Sequence, residues 1–139
     1  MSLERTYAMI KPDAVATGNS GKIIDLIEKH GFRIVAMKKL KMTREQGEAF
    51  YAVHKERPFY ASLVTFMTEG PIVALVMERE DAVKQWRDLM GATNPANAAE
   101  GTIRKLYATS IERNAAHGSD APETAAEETR FFFSSSELL

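Results

Sequence analysis

The run Ile72-Val-Ala-Leu-Val-Met77, set off by Gly70-Pro71 before it and by Glu78-Arg79-Glu80-Asp81 after it, constrains this chain more than any other feature. It is far too short to cross a bilayer, which takes about 20 apolar residues as a helix. It shows no polar alternation, so it reads as a strand buried within a sheet. Amphipathic stripes flank it on both sides. Phe59, Leu63, Phe66 and Met67 recur on one helix face before the Gly70-Pro71 stop, and Ala82, Val83, Trp86, Leu89 and Met90 do so after it, up to Gly91. A buried strand between two such helices predicts a mixed α/β fold.

The rest of the chain extends that pattern. Arg5 to Ile10 reads as a strand stopped by Lys11-Pro12-Asp13, because proline cannot donate to a ladder. Gly18-Asn19-Ser20-Gly21 reads as a loop, followed by a helix carrying Ile23, Ile24 and Ile27 and ending at His30-Gly31. Arg33 to Met42 is the next strand, with Ile34, Ala36, Leu40 and Met42 on one face. Thr43-Arg44-Glu45-Gln46 has the form of a capping box, which starts a helix through Phe50 and Val53 that breaks at Arg57-Pro58. From Gly91 to Asn114 only a short helical piece near Ile103 to Leu106 stands out, and a loop of that length is usually functional. A short strand at Ala115-Ala116 precedes His117-Gly118-Ser119-Asp120, and Asp120 with Glu123 predicts a capped helix through Phe132. The tail after Ser134 reads as loosely held. No repeat or linker divides the chain, so residues 1–139 are expected to form one domain able to bury roughly two thirds of its unfolded surface.

Composition removes several kinds of chemistry. With 18 basic and 19 acidic side chains and a net charge of −1, there is no broad field of one sign to attract nucleic acid or an acidic membrane, and any anion site must be local. The absence of cysteine excludes disulfides, thiolate metal sites and a cysteine nucleophile, which suits the cytoplasm. Charged residues near the N-terminus stand where an export signal needs an apolar stretch. The segment Ala16-Thr-Gly-Asn-Ser-Gly-Lys-Ile23 is a near miss to the Walker loop: it lacks the first glycine and the final serine or threonine, and no GxGxxG motif exists either.

A histidine-centred anion site is what remains. In Asn114-Ala-Ala-His117-Gly118-Ser119-Asp120 an imidazole stands just before an expected helix N-terminus, where unpaired amides favour an anion, and beside a glycine that allows close backbone approach. Histidine is a competent nucleophile, so a phosphate bound there could be attacked directly, although an ordinary loop histidine fits the same segment. His30 reads as a cap at a helix end and His54 as a solvated side chain. Lys11 at a strand end, Arg87 on a helix flank and Arg104 in the long loop are candidate phosphate ligands with Thr93 as a neutral donor, yet each alone fits a solvated surface residue. Phe59 and Leu63 fit core packing, or a stacking surface for a base if the end of their stripe is exposed; Tyr51 is equally ambiguous.

Taken together, these residues resemble the nucleoside diphosphate kinase family almost from end to end. The main signature is Asn114-Ala-Ala-His-Gly-Ser-Asp120, supported by Ile10-Lys-Pro-Asp-Ala-Val15, Phe50 to Tyr60, Met90 to Ala96 and Gly101-Thr-Ile-Arg104. The resemblance implies a ferredoxin-like βαββαβ sandwich with a four-stranded antiparallel sheet. It implies transfer of the terminal phosphoryl group of ATP or another triphosphate to a diphosphate by a ping-pong route through phospho-His117. Glu128 and Ser119 would fix the imidazole, Lys11 and Asn114 would meet ribose and phosphates, and Arg87, Thr93 and Arg104 would bind phosphates. Tyr51 would border the transferred group, and Phe59 would stack on the base beside Leu63. Mg2+ would ride on the nucleotide phosphates with no protein metal site, and the protein would be a cytoplasmic homo-oligomer, tetramer or hexamer. Glu100, where the family commonly has proline, the polar Thr129-Arg130 after Glu128 and the short tail leave the subunit number open. A histidine phosphocarrier or a ferredoxin-like nucleotide-binding regulator would keep the fold, but neither needs the base, ribose and phosphate positions together.

Overall fold

The computed structural model describes residues 3–139. Its centre is the strand expected around Ile72 to Met77, which is β3, Ile72–Glu80. Before it in the chain come β1 (Leu3–Ile10), α1 (Pro12–Ala16), α2 (Ser20–Lys29), β2 (Arg33–Leu40), α3 (Arg44–Phe50) and α4 (Tyr60–Met67). After it come α5 (Ala82–Met90), α6 (Ile103–Tyr107), β4 (Ala116–Gly118) and α7 (Pro122–Phe132). The strands lie in the order β2-β3-β1-β4 with every adjacent pair antiparallel, the ferredoxin-like arrangement that the family resemblance implied.

Both faces of the sheet are covered, which is why β1 and β3 carry unbroken apolar runs. On one face Ala8, Ile10, Val73, Leu75 and Met77 pack against Ile23 and Ile27 of α2, Trp86, Leu89 and Met90 of α5, and Ile103 of α6. On the other, Tyr7, Met9, Ala74 and Val76 pack against Met42, Tyr51, Phe66, Met67 and Phe133, with Phe50 and Phe132 at the margin. The capping box of α3 forms as read: Thr43 Oγ1 accepts from the Gln46 amide at 3.1 Å and Gln46 Oε1 accepts from the Thr43 amide at 2.9 Å.

Several local expectations differ from what forms. Pro12 does not merely end β1; it is the first residue of α1, where its missing N–H costs no helical bond. The alternation expected along β2 is interrupted by a bulge between Ile34 and Ala36. Ile34 therefore faces the α2/α5 side, while Val35, Ala36 and Leu40 all face the other. The helix after Thr43 ends at Phe50 and continues only as a 3-10 turn, Ala52–His54. β4 runs past Ala116 to include His117 and Gly118. α7 is not capped by Asp120; Ala121 holds that position, with Pro122 as first helical residue and Thr124 Oγ1 accepting from the Ala121 amide at 3.0 Å. The tail is tied back: Lys38 Nζ meets Glu137 at 2.7 Å, and Arg5 donates to the Leu139 carbonyl at 2.8 Å.

Candidate active site

His117 is a strand residue, paired with Met9 across the β1–β4 ladder, with Gly118 to Ala121 between it and α7. Its ring therefore points to the same face as Met9 and Tyr7. Edge-on aromatic rings surround it, with centroids 5.6 Å away for Phe50, 6.0 Å for Tyr7 and 6.4 Å for Tyr51. Burial holds the Tyr51 phenol far above the ordinary tyrosine range, and the nearby Glu128 carboxylate adds to that shift.

Glu128, on the inward face of α7, fixes the ring. Its Oε1 lies 3.0 Å from His117 Nε2 and accepts from Ser119 Oγ at 2.6 Å. A carboxylate oxygen already receiving a hydroxyl proton assigns Nε2 as the N–H nitrogen, and the lone pair then sits on Nδ1. Two side chains thus determine both the orientation and the tautomer of the imidazole.

The opposite side of β4 is equally constrained. Trp86 Nε1 donates to the His117 carbonyl at 3.1 Å. A Cβ on Gly118 would stand 2.5 Å from Trp86 Cδ1 and 2.7 Å from Met90 Cε. The glycine beside the histidine is therefore required by the packing of α5 beneath the strand. Just before β4, Ala115 adopts φ +72°, a left-handed conformation costing about 1–2 kcal/mol for a residue with a Cβ. Two bonds hold it there: the Lys11 amide donates to its carbonyl at 2.9 Å, and its own amide donates to Asp13 Oδ2 at 3.1 Å.

Lys11, only 7% exposed, follows directly on β1. Burial lowers its pKa from the ordinary 10.5 to about 8, with Arg104 pushing the same way and Asp13 and Glu112 opposing. It lines a cleft of about 320 Å³ together with Phe59, Leu63, Thr93, Ile111 and Glu112. Four side chains singled out in the sequence, Lys11, Phe59, Leu63 and Thr93, thus meet on one surface. Phe59 is 45% exposed there, so the end of its stripe is open, as stacking would require.

Other candidates lie around this cleft without lining it. Arg104 is buried and spans three carbonyls, of Asn114 at 3.3 Å, Gly91 at 3.0 Å and Ala116 at 2.9 Å. Arg87 donates to the Asp120 carbonyl at 3.1 Å. Asn114 donates to the Ile111 carbonyl at 2.9 Å, while its Oδ1 is buried with no partner, as are Asp13 Oδ1 and the Tyr51 hydroxyl. Orphaned buried polar atoms are costly and call for an explanation, and several of these border the Lys11–His117 region. A larger cleft of about 660 Å³ lies elsewhere, beside Lys29, Arg33 and Glu78, and contains none of the motif residues. Two of its cations are already paired, Lys29 with Asp25 and Arg33 with Glu78, both at 2.8 Å.

Ile111 and Glu112 lie in the segment with no periodicity, Asp13 reads in the sequence only as part of a turn, and Trp86 only as core. For Ile111 and Glu112 no local signal existed. The pairing of Trp86 with Gly118 depends on a crossing between distant segments.

Comparison with known proteins supplies the remaining information. A family model described as nucleoside diphosphate kinase matches residues 4–138. The nucleoside diphosphate kinase of Oleidesulfovibrio alaskensis is 60% identical over 135 residues, 97% of this chain and 97% of the relative. That of Bradyrhizobium diazoefficiens is 60% identical over 139 residues, 100% of this chain and 99% of the relative. Among solved structures, the Aquifex aeolicus nucleoside diphosphate kinase superposes with a TM-score of 0.97 at 44% identity, over 99% of this chain and 100% of the other. A halophilic nucleoside diphosphate kinase from Halobacterium salinarum in complex with CDP gives 0.94 at 40% identity, over 99% and 92%.

Proposed function

Since this chain belongs to the nucleoside diphosphate kinase family and moves the terminal phosphoryl group of a nucleoside triphosphate to a diphosphate, we propose that it does so through a covalent phosphohistidine at His117. The observation that carries this is the hold of Glu128, itself anchored by Ser119, on Nε2, which leaves Nδ1 as the nucleophilic nitrogen.

Nδ1 attacks the terminal phosphorus of a bound triphosphate; the bond from that phosphorus to its bridging oxygen breaks, and the diphosphate leaves with the bridging electrons. A second diphosphate then enters the same cleft, and its terminal oxygen takes the phosphoryl group back from Nδ1. Positive charge that builds on the ring during attack is balanced by the Glu128 carboxylate, held in place by Ser119. Lys11 and Arg104 supply positive potential from within the protein, where it is little screened. Arg104 keeps part of its donor fork free beyond the three carbonyls it spans. Arg87 and Thr93 bind outer phosphates, Asn114 accepts from the ribose hydroxyl with its unpartnered Oδ1 and can turn its second amide hydrogen to a phosphate, and Tyr51 walls the transfer path. Phosphoryl transfer demands little beyond such positioning and charge stabilisation.

Phe59 stacks on the base with Leu63 beside it, the exposed ring lining the cleft that Lys11 and Thr93 share; that the halophilic relative is in complex with CDP supports a nucleoside diphosphate as ligand. Mg2+ would be held by the nucleotide phosphates and would neutralise part of their charge; among the described residues no three acidic or histidine side chains cluster as ligands for it. Lack of cysteine supports a cytoplasmic setting, and the family resemblance supports a homo-oligomer, tetramer or hexamer.

Mixing the enzyme with terminally labelled ATP is expected to leave an acid-labile phosphoenzyme that any nucleoside diphosphate discharges. Label that persists in His117→Ala, or a phosphoenzyme that no diphosphate discharges, overturns the assignment.

A further inference from the structure

Stacking on Phe59 reads no base edge, yet the cleft contains one side chain able to do so. Glu112 forms part of its wall beside Ile111. The Ser62 hydroxyl, on α4 next to Leu63, lies 3.0 Å and 2.9 Å from the two Glu112 carboxylate oxygens. One hydroxyl carries one proton, so most of the acceptor capacity of this carboxylate is left over. The adjacent Arg113 does not use it, being turned to Glu69 at 3.0 Å. Ser62 sits between Phe59 and Leu63 in sequence, on the helix that supplies the stacking surface. The carboxylate is thereby held at the base end of the cleft.

We propose that Glu112, positioned by Ser62, reads the edge of the stacked base and makes the enzyme favour guanine nucleotides. The inference rests on the reading of the Phe59–Leu63 cleft as the base site. A carboxylate offers two parallel acceptors, and guanine presents two adjacent donors, N1–H and the 2-amino group, in matching geometry. Adenine and cytosine offer one amino group beside a ring acceptor. Uracil places its single N–H between two carbonyls, whose lone pairs the carboxylate repels. The order expected is guanine first, adenine and cytosine next, uracil last. Because the site is open to water, the preference is modest and leaves every base a substrate.

The test is discharge of the phosphoenzyme by GDP, IDP and UDP, with kcat/KM measured for each. Hypoxanthine differs from guanine only by the missing 2-amino group, so the GDP to IDP ratio isolates one hydrogen bond. The wild-type ratio is expected to be about three- to tenfold, to fall to near one in Glu112→Ala, and to fall part way in Ser62→Ala with recovery in Ser62→Thr. The GDP to UDP ratio should narrow in the same order. Ratios taken within one variant cancel any loss of folded enzyme. A wild-type ratio of one, or a ratio that Glu112→Ala leaves intact, refutes the proposal. A uniform loss over all three diphosphates also refutes it, assigning the carboxylate to the ribose or to the shape of the cleft while sparing the base-site reading. If Phe59→Ala alters no diphosphate, the base-site reading itself fails and this proposal with it.

Discussion

Replacing Lys11 by methionine should stabilise the folded protein while abolishing phosphoryl transfer. Burial, with Arg104 second, brings the ammonium from 10.5 to about 8, and each tenfold change in proton affinity is worth about 1.4 kcal/mol, so keeping the charge folded at pH 7 costs roughly 3 kcal/mol. Methionine fills similar space without that cost. Asp13, whose pKa burial raises and Lys11 pulls down, loses a favourable neighbour in the exchange, which reduces the expected gain to about 1–3 kcal/mol. The pH dependence provides the sharper check. Between about 8 and 10.5 the unfolded chain holds the lysine proton and the folded wild type does not, so wild-type stability rises with pH across that window. The variant lacks that rise, and its advantage should disappear by its upper end. Tyr7 and Tyr51, both shifted upward by burial, lower stability above the ordinary tyrosine range in both proteins and cancel in the difference. Urea unfolding at pH 7, 9 and 10.5, at matched protein concentration because association would contribute, measures it. A Lys11→Met protein less stable than wild type at pH 7, or a difference that does not change with pH, refutes the reasoning.

Two further outcomes follow from the site. Glu128→Gln keeps the side chain's shape but weakens its hold on Nε2 and its balance of ring charge; kcat should fall about ten- to a hundredfold while KM for the diphosphate barely moves, and a change confined to KM would contradict the assigned role. Gly118→Ala forces a methyl against Trp86 and Met90, at 2.5 Å and 2.7 Å, and should cost about 1–3 kcal/mol in thermal unfolding. Gly21→Ala, with nothing within 4 Å of the added carbon, should be near neutral, and equal losses at the two positions would show that the packing of α5 on β4 is not what requires the glycine.

What could be read before folding was whatever neighbours in sequence decide. The Thr43–Gln46 box is local, and it forms as written. The apolar run of β3 marks a buried strand because both its faces must be covered, a requirement visible in the order of its own residues. Pro12 reads in sequence as the stop of a strand, and the helix it begins escapes notice because one proline serves both ends. The bulge in β2 depends on its register with β3, which no local pattern encodes. His117 reads in sequence only as preceding a helix, because its three-residue strand is too short for periodicity and exists only through pairing with Ala8 to Ile10. The motif brought Lys11, Phe59, Leu63 and Thr93 to attention, but their meeting in one cleft, like the attachment of Arg104 to three carbonyls, depends on long-range geometry. The tail looked free because its partners, Lys38 and Arg5, belong to distant strands.

The pairing of β4 with β1 joins the first strand of the chain to the last. During synthesis β1 leaves the ribosome early and waits, one edge unpaired, until nearly everything else has been made. A nascent chain in that interval exposes the backbone of Ala8 to Ile10, a template for pairing with a neighbouring chain. Closure is also the moment at which His117 acquires its place over Tyr7, and Glu128 arrives later still. A shortened translation product ending before α7 would present His117 without the carboxylate that fixes its ring. For this enzyme, the place of the histidine exists only once the first and last strands of the sheet have found each other.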